Sequence, residues 1–193
     1  AKHQEQGRGQ RGSSWESEPG KNLTLSILLQ PTFLKPDEQF QLNKAVSLGV
    51  LEFIQLSVSP IPRFSPSGAE SGKERTGESE SRDLSIKWPN DIYIGNKKVA
   101  GILIENSVSG SKLQQSIIGV GINVNQEKFS AELPNPTSLK LIRGKEFELK
   151  ECLELLCSCI ERRYLELRGG SKVIDPDYLR NLFRFGEFEN YIF

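Results

Sequence analysis

Between Leu84 and Val124 the sequence reads LSIKWPNDIYIGNKKVAGILIENSVSGSKLQQSIIGVGINV, four β-rich runs separated by turn residues. Gly95-Asn96 stands at hairpin spacing between two runs, and Ser-Val-Ser-Gly-Ser-Lys supplies the next reversal. Strands joined by such short turns must lie antiparallel, which excludes the regular strand–helix–strand repeats of a parallel sheet. An earlier run, NLTLSILLQP, alternates Leu23, Leu25, Ile27 and Leu29 with Thr24, Ser26, Leu28 and Gln30, as a half-buried strand does before a proline stop.

Two helices frame this sheet. Pro36-Asp37 opens a segment with Leu42, Ala45, Val46, Gly49, Val50, Phe53 and Ile54 on one face at helical period. Glu148 to Leu167 does the same with Leu149, Cys152, Leu153, Leu156, Ile160 and Tyr164. The fold class is therefore α+β, with a mixed, largely antiparallel sheet flanked by helices. From Ser57 to Asp83 the chain is dense in Ser, Pro, Gly and Glu and is read as a long mobile loop inserted within the domain.

Composition removes most chemistries. Lys plus Arg and Asp plus Glu number 25 each, so net charge is zero and a general polyanion-binding role lacks its electrostatic basis. No apolar run approaches the roughly 20 residues that span a bilayer, and the chain reads as a cytoplasmic globule. With one histidine, His3, and no G-x-S-x-G, H-E-x-x-H or Walker A pattern, the usual nucleophile, zinc and P-loop sites have no residues to form from. Cys152, Cys157 and Cys159 crowd one helical stretch and read as reduced and mostly core-facing. What remains is chemistry by positioning and positive charge.

Gly7-Arg8-Gly9-Gln10-Arg11-Gly12 suits that chemistry, because glycines let backbone N–H groups approach an anion while Arg8 and Arg11 add forked donors. Trp15 can stack on a base or anchor the loop, and a flexible Arg-Gly tract is an equally good reading of these residues alone. In Lys87-Trp88-Pro89-Asn90-Asp91, Asn90 and Asp91 offer oxygen ligands beside a proline turn, which is also what an ordinary strand corner looks like. Lys98 begins the return strand of the hairpin, and Gly101 thins it so that a flat ligand can lie against the sheet. Gly119 and Gly121 repeat the thinning.

In order, G-R-G-x-R-G-x-x-W, S-x-x-G-x-x-L, K-W-P-N-D, K-x-A-G-I-L-x-E and Thr137-Ser138-Leu139 resemble the biotin–protein ligases, from Ala1 to about Tyr164. The resemblance implies a catalytic fold like that of the class II aminoacyl-tRNA synthetases. It implies biotin and ATP as substrates, Mg2+ with the nucleotide, and biotinyl-5'-AMP as intermediate. A biotin carboxyl carrier protein is then the acceptor, and a homodimer is compatible with it.

By residue, the resemblance assigns Gln4 to the biotin ring system, and Gly7, Arg8, Gly9 and Gln10 to a loop around biotin and the adenylate. Arg11 adds charge, and Trp15 matches an aromatic near adenine. Lys98 corresponds to the lysine bridging the biotin carboxyl and the α-phosphate, with Arg8 and Lys87 as further catalytic cations. Gly101 and Ile102 match the floor under biotin, with Gly119 and Asn123 in the same site. Asp91 and Asn90 are the candidate metal ligands. Gln10 stands where the family commonly has arginine, so charge there is reduced. The family's Ser-Thr-Asn biotin contact and any DNA-binding helix-turn-helix are not seen in the chain. Domain boundaries follow: 1–185 as the catalytic domain with its 57–83 loop, lacking an N-terminal part, and 186–193 as the start of a truncated small β-barrel. A lipoate–protein ligase of the same fold and a non-catalytic nucleic-acid-binding module are the competing readings.

Overall fold

The computed structural model describes residues 7–9, 14–59 and 84–186. Two short strands, β1 (Gly7–Arg8) and β2 (Ser14–Trp15), pair antiparallel and lead to β3 (Leu23–Leu29). A single 3-10 turn at Pro36–Glu38, closed by Lys35 N–H donating to Glu38 Oε2 at 2.9 Å, starts helix α1 (Gln39–Val58). Then come β4 (Leu84–Lys87), β5 (Asp91–Ile94), β6 (Lys97–Ser109) and β7 (Lys112–Ile122). Helices α2 (Leu139–Arg143), α3 (Leu149–Arg168) and α4 (Ile174–Arg180) complete the described chain.

The five longer strands form one sheet in the order β3-β7-β6-β5-β4, every ladder antiparallel. Parallel pairing among the described residues is confined to the isolated bridges Ile86–Leu182 and Lys98–Pro136. This is the α+β architecture expected, and the class II synthetase-like description is consistent with it.

One face of the sheet carries Ile86, Ile92, Ala100, Ile102, Ile118, Val120 and Ile122, all buried in the core with the inward face of α1. The other face is left for the site. α3 packs across the outer side of α1, and the crossing point is Gly49. A Cβ there would sit 2.8 Å from Ile160 Cα and 3.1 Å from Cys159 O, backbone atoms that cannot rotate aside. Gly49→Ala should therefore lower Tm, although alanine gains helix propensity of about 1 kcal/mol. Forcing the helices apart costs about 1–3 kcal/mol, so a fall of several degrees in a thermal melt is expected. A rise in Tm would show that the crossing is looser than this.

α4 closes the end of the layer. Phe40 and Tyr178 meet edge to face with ring centroids 5.8 Å apart. The Tyr178 hydroxyl donates to Pro89 O at 3.1 Å, tying α4 to the Lys87–Asp91 turn. Arg163 joins the helices by donating to Asp177 Oδ2 at 2.9 Å and facing Glu52 Oε2 at 3.5 Å. Burial pushes the Tyr178 hydroxyl up to about 12. Tyrosine in an unfolded chain ionises near 10, so the neutral form is favoured in the fold. That preference is intact below pH ~10 and is lost as pH rises toward ~12. Tyr178→Phe should be less stable near neutrality by about 1 kcal/mol, the lost hydrogen bond, and should show a shallower decline of Tm above pH ~10.

Two sequence readings need correction. Ser57 and Val58 belong to α1 and not to the expected loop; residues 60–83, on which the rest of that reading falls, and 187–193 lie outside the described residues. Leu153 is 38% exposed rather than packed, because it falls at the edge of the α3 stripe. The cysteine reading stands: all three are free, Cys152 and Cys159 are buried, and Cys157 faces solvent.

Candidate functional site

The open face of the sheet carries one row of residues across all five strands. The pairings Thr24–Gly121, Gly121–Gly101, Gly101–Asp91 and Asp91–Lys87 set these five abreast. Directly paired antiparallel residues point to the same face. The row is therefore two bare glycines in the centre, a carboxylate and a lysine on one side, and a threonine on the other.

Two register shifts create this row. An unbroken ladder from the β6–β7 turn would set Gly101 against Val120. Between Ser107–Gln115 and Val108–Leu113, Gln114 is an extra residue, and it moves Gly101 opposite Gly121. On the other edge of β6, Tyr93 pairs with Lys98 but Ile92 pairs with Ala100, so Val99 is a bulge. Residues three apart in a regular strand face opposite ways; the bulge puts Lys98 and Gly101 on the same side.

Lys98 is held from both directions. Its N–H donates to Asn135 O at 2.8 Å and its C=O accepts from Thr137 N at 2.9 Å. The same segment then starts α2, with Ser138 Oγ capping Leu141 N at 3.2 Å. Lys98 Nζ lies 2.7 Å from Asp91 Oδ2, with about a third of each side chain exposed (32% and 28%). A cation with three donors that spends one on Asp91 keeps two for an incoming anion.

Trp15 roofs the glycines. A Cβ on Gly121 would stand 2.4 Å from Trp15 Cε2, and one on Gly101 3.1 Å from Trp15 Cζ3. Lys98 Nζ sits 5.8 Å from the indole centroid, in cation–π range. The indole Nε1 is buried and has no hydrogen-bond partner among the described residues, and neither has the buried Oδ1 of Asn123.

The remaining expected residues fall as follows. Gly7 is buried and pairs with Trp15, Arg8 pairs with Ser14 through its backbone, and Gly9 follows at the loop's start. Gln4, Gln10 and Arg11 lie outside the described residues. Gly119 belongs to the next row of the same face, opposite Leu103 and Ser26. Lys87 Nζ stands 5.1 Å from the Tyr93 ring centroid, at the margin of the face. Asn123 follows β7 and donates Nδ2–H to Thr137 O at 3.0 Å, linking the end of β7 to the segment that holds Lys98.

Two placements depart from the sequence reading. Ile102 alternates with Gly101, so its side chain is in the core on the α1 side and not in the floor. Asn90 is buried and its side-chain amide donates to Ile102 O, while Ile102 N donates to Asn90 O at 3.1 Å. It straps the start of β5 to β6, whereas the Asp91 carboxylate lies part-exposed beside Lys98. Sequence reasoning missed the amide pair Asn22–Gln126: Asn22 falls at an unassigned position of S-x-x-G-x-x-L, and Gln126 lies in no quoted motif.

The family model that matches is the biotin/lipoate A/B protein ligase family, over residues 1–123. The chain is 32% identical over 168 residues to the bifunctional ligase/repressor BirA of Bacillus subtilis, covering 85% of this chain and 44% of that protein. It is 29% identical over 192 residues to the biotin–[acetyl-CoA-carboxylase] ligase of Paracoccus denitrificans, covering 97% and 71%. Among solved structures, the biotin protein ligase of Aquifex aeolicus in complex with biotin and ATP superposes with a TM-score of 0.73 at 30% identity. That match covers 96% of this chain and 68% of the other. The chain thus spans less than half the length of the Bacillus relative. With the motifs in order and the fold in common, the chain belongs to the biotin/lipoate A/B protein ligase family.

Proposed function

We propose that this chain is the catalytic part of an ATP-dependent biotin–protein ligase acting in the cytoplasm. The observation that carries the reading is the Gly101–Gly121 floor, roofed by Trp15 and flanked by the Lys98–Asp91 pair. Bare backbone lets the indole lie flat on the sheet, a flat fused ring would pack beside it, and the lysine stands where the acid's carboxylate would end.

The chemistry needs no nucleophile from the protein. One carboxylate oxygen of biotin attacks the α-phosphorus of ATP, the bond to the β-phosphate oxygen breaks, and pyrophosphate leaves. The ε-amine of a carrier-protein lysine then attacks the acyl carbon, AMP departs, and the amine gives up a proton. Lys98 would draw the carboxylate and α-phosphate together and neutralise the charge that grows on the phosphoryl oxygens, with Arg8 and Lys87 adding positive potential. A mixed anhydride is open to water, so the Trp15 ring packed beside Lys98 has a clear use in shielding it. Among the described residues no cluster of three acidic, Cys or His side chains could hold a metal. Asp91, 28% exposed beside Lys98, would be the protein carboxylate for Mg2+ carried on the nucleotide, where the ion would offset phosphate charge.

The acceptor we infer is a biotin carboxyl carrier protein. Biotin rather than lipoate is favoured by the floor, which suits a bicyclic ring better than an extended chain, and by the relatives' names. Biotin-dependent ATP–pyrophosphate exchange on the full-length protein tests this. Exchange with biotin and none with lipoate is expected; lipoate-dependent exchange would overturn the choice of acid, and none with either would overturn the reading.

A further inference from the structure

The segment from Glu16 to Asn22 joins β2 to β3 without a strand ladder of its own, yet its first neighbour, Trp15, has to sit flat on the glycines. Two neutral side chains supply the missing ladder. Asn22 Oδ1 accepts from Val124 N at 3.0 Å, and Asn22 Nδ2 donates to Ser17 Oγ at 3.3 Å and to Gln126 Oε1. Gln126 Oε1 also accepts from Glu18 N at 3.0 Å, and Gln126 Nε2 donates to Lys128 O at 2.8 Å. Asn125 N donates to Lys21 O at 2.8 Å between them. Asn22 is 6% exposed and Gln126 1%.

We propose that Asn22 and Gln126 are positioning residues, a buried amide clasp that fixes the Trp15 indole over the Gly101–Gly121 floor. This rests on the ligase reading for its consequence in catalysis, but not for its geometry. Every polar atom of the two amides is used: three of the bonds cross between the Trp15-bearing segment and the chain just past β7, and those to Ser17 and Lys128 brace each side locally. Buried amides of this kind are costly to leave half-satisfied. Breaking one therefore releases the segment rather than being absorbed locally. No charge is involved, so the clasp holds at any pH at which the fold survives.

Asn22→Asp keeps the acceptor for Val124 N and replaces the donor with an oxygen facing Gln126 Oε1. Turning the Gln126 amide to relieve that clash strips Glu18 N of its acceptor. Gln126→Met removes both acceptances while keeping much of the side chain's shape. Hydrogen exchange of the Trp15 indole N–H, buried in the wild type, reads the clasp without any substrate. In both variants it should quicken at least about tenfold while α1 and β6 amides stay protected. Biotin KM in pyrophosphate exchange should rise at least about tenfold with kcat within about threefold. An unchanged indole exchange rate, or a fall in kcat at constant KM, would overturn the proposal. If the variants do not fold, the wild-type protein decides. A Glu18 amide as protected as those of β7 supports the clasp, and one exchanging at the rate of open chain refutes it. Absence of biotin-dependent exchange in the wild type would count against the ligase reading and leave the indole result to judge the clasp.

Discussion

Lys98→Ala should slow formation of the acyl-adenylate by at least about a hundredfold. A preorganised charge on a developing oxyanion contributes about 3–4 kcal/mol, and this one sits over the glycines with its backbone pinned on both sides by Asn135 and Thr137. The loss is compounded because Asp91, paired with Lys98 at 2.7 Å, would then present an unneutralised carboxylate to a carboxylate substrate. Lys98→Arg should not restore the rate, since a planar fork cannot occupy the point position of an ammonium. Single-turnover production of biotinyl-AMP is the measurement, and an unchanged rate in Lys98→Ala would remove the residue from the chemistry. Stability should hardly move, because a pair about a third exposed contributes about 0–1 kcal/mol.

Gly121→Val should abolish useful biotin binding, with affinity falling at least about tenfold, or 1.4 kcal/mol. The first added carbon already lies 2.4 Å from Trp15 Cε2 and 2.7 Å from Nε1. Gly121 cannot retreat, since β7 is bonded to β3 on one side and β6 on the other. The indole has to leave the floor, and the ligand loses the aromatic wall it offers beside Lys98. Valine suits a strand better than glycine by up to about 1 kcal/mol, so the folded state should survive and equilibrium dialysis with biotin should separate lost binding from lost fold. Wild-type affinity in this variant would show that the glycines serve packing alone.

Periodicity carried much of the fold. The alternation in β3 and the helical stripe from Leu42 to Ile54 are local patterns, and both elements stand where the pattern puts them. α4 was not foreseen because its seven residues hold only two buried side chains, Ile174 and Tyr178, too few to show a period. The candidate residues were found by type, and their arrangement was not. Neither extra residue, Val99 or Gln114, looks unusual in sequence, yet each shifts one ladder by one place and so decides which side chains share a face. Ile102 was assigned to the floor because it follows Gly101 in the motif; alternation sends it to the core. Asn22 and Gln126 are 104 positions apart, and polar pairing over that distance leaves no local trace.

Gly101 facing Gly121 is also a gap in the sheet's own cohesion. Paired side chains across neighbouring strands each contribute about 0.2–1 kcal/mol, and at this point the central strands contribute none. The Trp15 ring covers the gap as aromatic rings cover glycines in other sheets, so one indole shields the sheet and lines the site. Thermostabilising substitutions that work elsewhere in strands, Gly→Val or Gly→Thr, are closed to these two positions, because each gain in strand pairing evicts the ring. Selection for heat resistance in this family member would have to act on the α1–α3 and α4 contacts, leaving the middle of the sheet as thin as its ligand requires.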